Sequence, residues 1–119
     1  MALAKLGVVV LDCPDPRALA GFYAEVLGGT VEGEGDWVDL QVPGGPSLAF
    51  QAAPGHVPPK WPGSDHSQQF HLDLVVDDLD AAEKGVLALG AEPLDATDHT
   101  RTFRVYADPA GHPFCLCAC

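Results

Sequence analysis

The chain has 119 residues, 47% of them hydrophobic, enough for one modest core and too apolar for a disordered segment. Its 17 acidic side chains against 6 basic ones give a formal net charge of −11. That balance excludes nucleic acid as a partner, because phosphate binding needs clustered Lys and Arg. No apolar run reaches the roughly 20 residues of a membrane span. The N-terminal stretch also lacks the small-residue cleavage pattern of a signal peptide, so a cytoplasmic protein with reduced thiols is expected.

Residues 6–11, LGVVVL, predict a strand. A helix follows, with Asp15 as N-cap and Pro16 at the first helical position. Its stripe is Leu19, Phe22, Tyr23, Val26 and Leu27, and Gly28 suits its C-terminal end. Three short strands come next. Residues 30–32 form a weak one. Residues 37–42 alternate, with Val38, Leu40 and Val42 on one side and Trp37, Asp39 and Gln41 on the other. The turn PGGP leads into residues 47–52.

Residues 54–69 are rich in proline and glycine and show no periodicity, which predicts a linker. The pattern then restarts. A strand at 70–76 precedes a helix capped by Asp78, with Leu79, Ala82, Val86 and Leu89 on one face and Gly90 at its end. Strands at 91–94, 102–107 and 114–119 complete the copy, the last two joined by the turn DPAGHP.

The chain therefore reads as an internal repeat of strand–helix–strand–strand–strand. Module 1 spans about 1–53 and module 2 about 70–119, within a single domain. The predicted class is α+β: two βαβββ modules forming curled mixed sheets, with helices outside and a concave cleft. Strand parity places Val38, Leu40, Leu48, Phe50, Leu72, Leu74, Phe103, Val105, Phe114 and Leu116 against the helices. The cleft face is expected to hold Trp37, Asp39, Gln51, His71, Asp73, Arg104, Tyr106 and Cys115, with Val8, Val10, Ala49 and Cys117 beside them. These polar and aromatic groups on one hollow predict a small-molecule site.

Three segments carry a resemblance: LDCPDPRALAGFYAEVLGG, HLDLVVDDLDAAEKGVLALGA and FRVYADPAGHPFCLC. Together they resemble the vicinal oxygen chelate superfamily, which includes glyoxalase I, bleomycin-resistance proteins, fosfomycin-resistance enzymes and extradiol dioxygenases. A glyoxalase-like subgroup is the nearest in pattern. The resemblance implies paired βαβββ modules, often in a homodimer. It leaves the chemistry open, because this fold hosts binders and several enzyme classes.

Metal-dependent members carry ligands at four equivalent places, which fall here on Val8, on Ala49 or Gln51, on His71 and on Cys115. The donors are then at most His71, Cys115 and Gln51, short of the three strong ligands a catalytic ion wants. No metal or other cofactor is expected. A divalent metal serving an altered lyase, isomerase or dioxygenase is the alternative. The favoured reading is a metal-free, bleomycin-resistance-like binder of a small cationic or aromatic molecule. In it, Asp39 and Asp73 stand beside Trp37 and Tyr106, and His71 is the best catalytic candidate if a reaction is run.

Cys115, Cys117 and Cys119 alternate along the last strand and are expected to remain ordinary small side chains, since i, i+2 neighbours make poor disulfide geometry. A reactive thiol at Cys115 or Cys117 would need a nearby cation, and Arg104 is the expected candidate. Cys13 is expected to be structural, His112 to stabilise its turn, and His56, His66 and His99 to be solvated. Trp61 is expected either to fold over the cleft or to pin the linker.

Overall fold

The computed structural model describes residues 2–63, 65, 67 and 69–118. His66 and Cys119 lie outside the described residues. The chain divides into two compact units, Met1–His56 and Val57–Cys119. No helix among the described residues is long and apolar enough to cross a membrane.

In the first unit, β1 (Val8–Cys13) leads into α1 (Pro16–Leu27), followed by β2 (Thr30–Glu32), β3 (Trp37–Gln41) and β4 (Ser47–Ala52). Asp15 caps α1 as expected, its side chain accepting from the Ala18 amide. The sheet runs β1-β4-β3-β2, with β1 parallel to β4 and the other pairs antiparallel. Val38 pairs with Phe50 and Leu40 with Leu48, so all four share one face. Leu19, Ala20, Phe22 and Tyr23 of α1 are buried, and Tyr23 stacks on Phe50 with ring centroids 5.9 Å apart. Each such large apolar side chain contributes roughly 1.5–3 kcal/mol on burial. The chain leaves α1 through Gly29, at φ +108, where an added Cβ would stand 2.2 Å from the Gln41 carbonyl oxygen. Only glycine lets β2 start that close to β3.

The second unit repeats the order: β5 (Leu72–Val75), α2 (Leu79–Ala88), β6 (Glu92–Asp95), β7 (Phe103–Ala107) and β8 (Pro113–Cys117). Its sheet runs β5-β8-β7-β6, with β5 parallel to β8. Asp78 caps α2 through the amides of Asp80 and Ala81. The predicted elements are all present. The α+β class holds as two four-stranded mixed sheets, each with one helix.

Two expectations about the second unit are corrected. Tyr106 pairs with Phe114 and Arg104 with Leu116, so Arg104 and Tyr106 share the helix-packed face with the apolar residues of β8. Phe103 and Val105 take the opposite face, paired with Cys117 and Cys115. The assumption that the most apolar parity of β7 must face the helix is what fails. Here the helix supplies carboxylates. The Arg104 Nη2 donates to Asp80 Oδ1 at 2.9 Å, and the Tyr106 hydroxyl donates to Glu83 Oε1 at 2.7 Å. Leu89, expected on the stripe of α2, is instead exposed, and Val86 is the one fully buried residue of that helix.

Candidate functional site

Each sheet has one face packed on its helix and one face that its helix leaves bare. On the bare face of the first unit, Trp37, Gln51 and Asp12 form one cross-strand row, and Asp39, Ala49 and Val10 the next. Trp37 is 42% exposed, and its Nε1–H donates to Asp39 Oδ1 at 3.2 Å. The hydrogen bond joins side chains two residues apart on the same strand face and sets the carboxylate at the edge of the indole. Cys13 is buried in the opposite face, its thiol 3.7 Å from the Gln51 carbonyl oxygen, which fits a structural role.

On the bare face of the second unit, Asp73 and Cys115 are register partners in the parallel pair β5–β8. His71, two residues before Asp73, projects to the same side. Its Nε2 stands 3.1 Å from Asp73 Oδ1. The donor atoms of His71, Asp73 and Cys115 all lie within 4.8 Å of one another. Trp61, at the start of this unit, sets its ring edge-on to His71 with centroids 6.3 Å apart. Of its two expected roles, this contact ties it to the bare-face side of β5.

Cys115 is 5% exposed. Burial, then the charge of Asp73 and its acceptance of the thiol proton, push the Cys115 thiol up to about 11. The cation acting on it is Arg101, not Arg104 as expected. Arg101 is held by a two-point contact, Nη2 to Asp95 Oδ1 at 2.6 Å and Nη1 to Oδ2 at 3.3 Å, with its guanidinium carbon 4.6 Å from the Phe103 ring centroid. Because Asp95 neutralises Arg101 and itself raises the thiol, the pair does not activate Cys115.

Of the residues expected on one bare face, the structure keeps Trp37, Asp39 and Gln51 together in the first unit. It keeps His71, Asp73 and Cys115 together in the second. Arg104 and Tyr106 are removed to the helix side. Sequence reading missed Arg101 and Asp95, whose contact spans a short loop with no periodic pattern to mark it. Cys117 is disulfide-bonded, which corrects the expectation of an ordinary thiol there. His56 is half-buried rather than solvated, and His99 is exposed. His112 stabilises its turn through its backbone.

A divalent ion is the alternative that the metal-dependent members of the superfamily suggest, and the donor set bears on whether one fits. Gln51 belongs to the first unit, but Asp73 completes a nitrogen, oxygen and sulfur trio inside the second. Three protein donors with an exposed side remaining suit a four-coordinate ion. The residues present therefore fit a metal better than the sequence indicated.

The family profile described as a glyoxalase-like domain matches residues 8–117. Among solved structures, a glyoxalase/bleomycin resistance protein/dioxygenase family enzyme from Burkholderia phytofirmans is 21% identical, with a TM-score of 0.74 over 95% of this chain and 97% of its own. A glyoxalase-related enzyme from Fulvimarina pelagi is 24% identical, with a TM-score of 0.68 over 98% of this chain and 89% of its own. A glyoxalase family protein from Enterococcus faecalis is 23% identical, with a TM-score of 0.67 over 98% and 99%. No curated protein sequence gives a match. At these identities the structures speak to the fold, and the profile speaks to descent: the chain belongs to the glyoxalase-like domain family.

Proposed function

We propose that this protein binds a small organic cation with a flat ring on the bare face of its first sheet, with Trp37 as the stacking surface and Asp39 as the counter-charge. The observation that carries the reading is the exposed Trp37 indole hydrogen-bonded to Asp39 at 3.2 Å. A cation over an indole gains about 0.5–2 kcal/mol, more as it loses water. Asp12, in the row beside Trp37, adds negative charge, and the net charge of −11 favours cations generally. The contact requires no metal. The pairing habit implied by the superfamily carries over as a homodimer in this reading, measurable by sedimentation.

Thermal-shift screening of planar cations against planar anions of matched size tests it. Stabilisation by cations, lost in Trp37→Ala and Asp39→Asn, is the expected result. Stabilisation by anions alone overturns it.

A second reading, metal-dependent chemistry of the lyase, isomerase or dioxygenase kind, is favoured by the His71, Asp73 and Cys115 trio. An ion there would polarise a substrate oxygen.

A further inference from the structure

We propose that Cys117 and Cys119 form a reversible dithiol–disulfide couple at the end of β8, which exchanges with small-molecule thiols while the fold stays intact. The inference rests on neither reading above.

The cysteine count leads to it. Of the four cysteines in the chain, Cys13 and Cys115 are free and Cys117 is disulfide-bonded. Cys119, outside the described residues, is the remaining cysteine in the sequence, and Ala118 alone separates it from Cys117. A cross-link stabilises a fold largely by restricting the unfolded chain, and its effect grows with the loop it closes. A loop across one residue restricts little, so breaking the bond removes little stability. Side chains two apart inside a strand are poorly placed to bridge, but Cys117 is the last residue of β8, so position 119 falls beyond the strand.

The backbone around Cys117 is held without the sulfur. Cys117 pairs with Val75 on β5 and with Phe103 on β7. Its carbonyl accepts from the Val76 amide at 2.9 Å, and the Ala118 amide donates to the Thr102 carbonyl at 2.8 Å. These contacts clamp the end of β8 from both sides in either state of the sulfur. Cys117 is half-buried between Val75, 73% exposed, and Phe103, 37% exposed, so a small thiol reaches this rim. Cys115, two residues earlier, is 5% exposed and stays out of the exchange. Burial and the Asp73 charge keep its thiol protonated, and only a thiolate attacks a disulfide.

The exchange balances with a low-molecular-weight thiol as reductant. Its thiolate attacks one sulfur of the couple, the S–S bond breaks, and a mixed disulfide forms there. The other sulfur leaves as a thiolate and takes up a proton. A second thiolate then attacks the mixed disulfide, releasing the external disulfide and the second protein thiol. Two external thiols are oxidised and one protein disulfide is reduced.

Thiol trapping of the tag-free full chain in glutathione buffers, read by peptide mass mapping, tests the proposal. After oxidised glutathione, the C-terminal peptide should resist alkylation and weigh two hydrogens less than its dithiol form. About millimolar reduced glutathione should open it without denaturant, and oxidised glutathione should close it again. The melting temperature should differ by less than about 4 °C between the two forms. Cys119→Ser should trap a glutathione adduct on Cys117, because no resolving thiol remains, whereas Cys115→Ser should leave the exchange unchanged. Cys117 still alkylatable after oxidised glutathione, or linked to Cys13, Cys115 or a second chain, overturns the pairing. A bond that opens only in denaturant, or whose opening unfolds the protein, overturns the reversible couple and leaves a structural cross-link. The wild-type measurements need no variant, and none of them reads the Trp37 surface or metal content.

Discussion

The Glu83 side chain of α2 serves two partners on β7: Oε1 accepts from the Tyr106 hydroxyl at 2.7 Å, and Oε2 lies 3.5 Å from the Arg104 Nη1. This contact and the Arg104–Asp80 pair hold a helix that fully buries only Val86. The first unit differs, because α1 docks through Leu19, Phe22 and Tyr23. Tyr106→Phe should therefore cost about 1.5–3 kcal/mol, the range for a hydrogen bond to a charged acceptor. Glu83→Ala should destabilise more than Asp80→Ala, since the Glu83 side chain is 22% exposed and Asp80 74%. Denaturant melts of the three variants check the order. Equal losses for Glu83→Ala and Asp80→Ala would show that burial does not weight these contacts.

Acid should loosen the same helix. The hydrogen bond from Arg104, then its charge, holds the Asp80 carboxyl below the usual carboxylate value. A group depressed in the folded state contributes stability above its unfolded pKa and loses it as pH falls through the folded value. The loss belongs below about pH 4. Asp80→Asn should be less stable than wild type at neutral pH, and the gap should shrink as pH falls. Because Asp80 is exposed, added salt should shrink it too. A gap unchanged from pH 7 to pH 3 would count against the pairing.

How far this was legible in the chain depends on which residue is asked about. The repeat, both helix caps and the bare-face row of Trp37, Asp39 and Gln51 followed from periodicity, because in the first unit apolar parity and helix-facing parity coincide. They part company at β7. There Arg104 and Tyr106 carry long apolar bodies with polar tips, which can be buried if the facing helix offers acceptors. The sequence did hold a corrective signal. The loop 108–112 between β7 and β8 fixes their pairing, which puts Tyr106 beside Phe114 whatever the hydrophobicity of β7. Asp80 and Glu83, three apart on α2, were the matching acceptors. The Arg101–Asp95 clasp had no comparable signal, because it depends on how residues 96–100 fold back, which no period encodes.

Cys115 should be slow toward alkylating agents. With a thiol pKa of about 11, the thiolate fraction at pH 8 is about 0.1%, far below that of a free cysteine. Asp73→Asn removes the negative charge, though not the burial, so labelling should accelerate and its pH profile should move to lower pH. Peptide mass mapping after timed labelling separates Cys115 from the buried Cys13. Labelling of wild-type Cys115 as fast as a model thiol, or no acceleration in Asp73→Asn, would mean that Asp73 does not control it.

The turn DPAGH earns its pattern through Asp108, 3% exposed. Its Oδ1 accepts from the Ala110 amide at 2.9 Å and the His112 amide at 3.0 Å, while its own amide donates to the His112 carbonyl. Gly111 sits at φ +90, with an added Cβ 2.4 Å from Pro58 Cβ, so glycine is required twice over. Asp108→Ala strips the acceptor from two turn amides and should cost about 2–4 kcal/mol. Asp108→Asn keeps a carbonyl oxygen at the same place and should cost about half as much or less. The consequence reaches the bare face, because this turn sets the β7–β8 register that puts Cys115 opposite Val105 there. Amide exchange at Ala110 and His112 should quicken in Asp108→Ala, and Cys115 should label faster as the register loosens. If Asp108→Ala melts with wild type and leaves Cys115 slow to label, the turn does not hold the register.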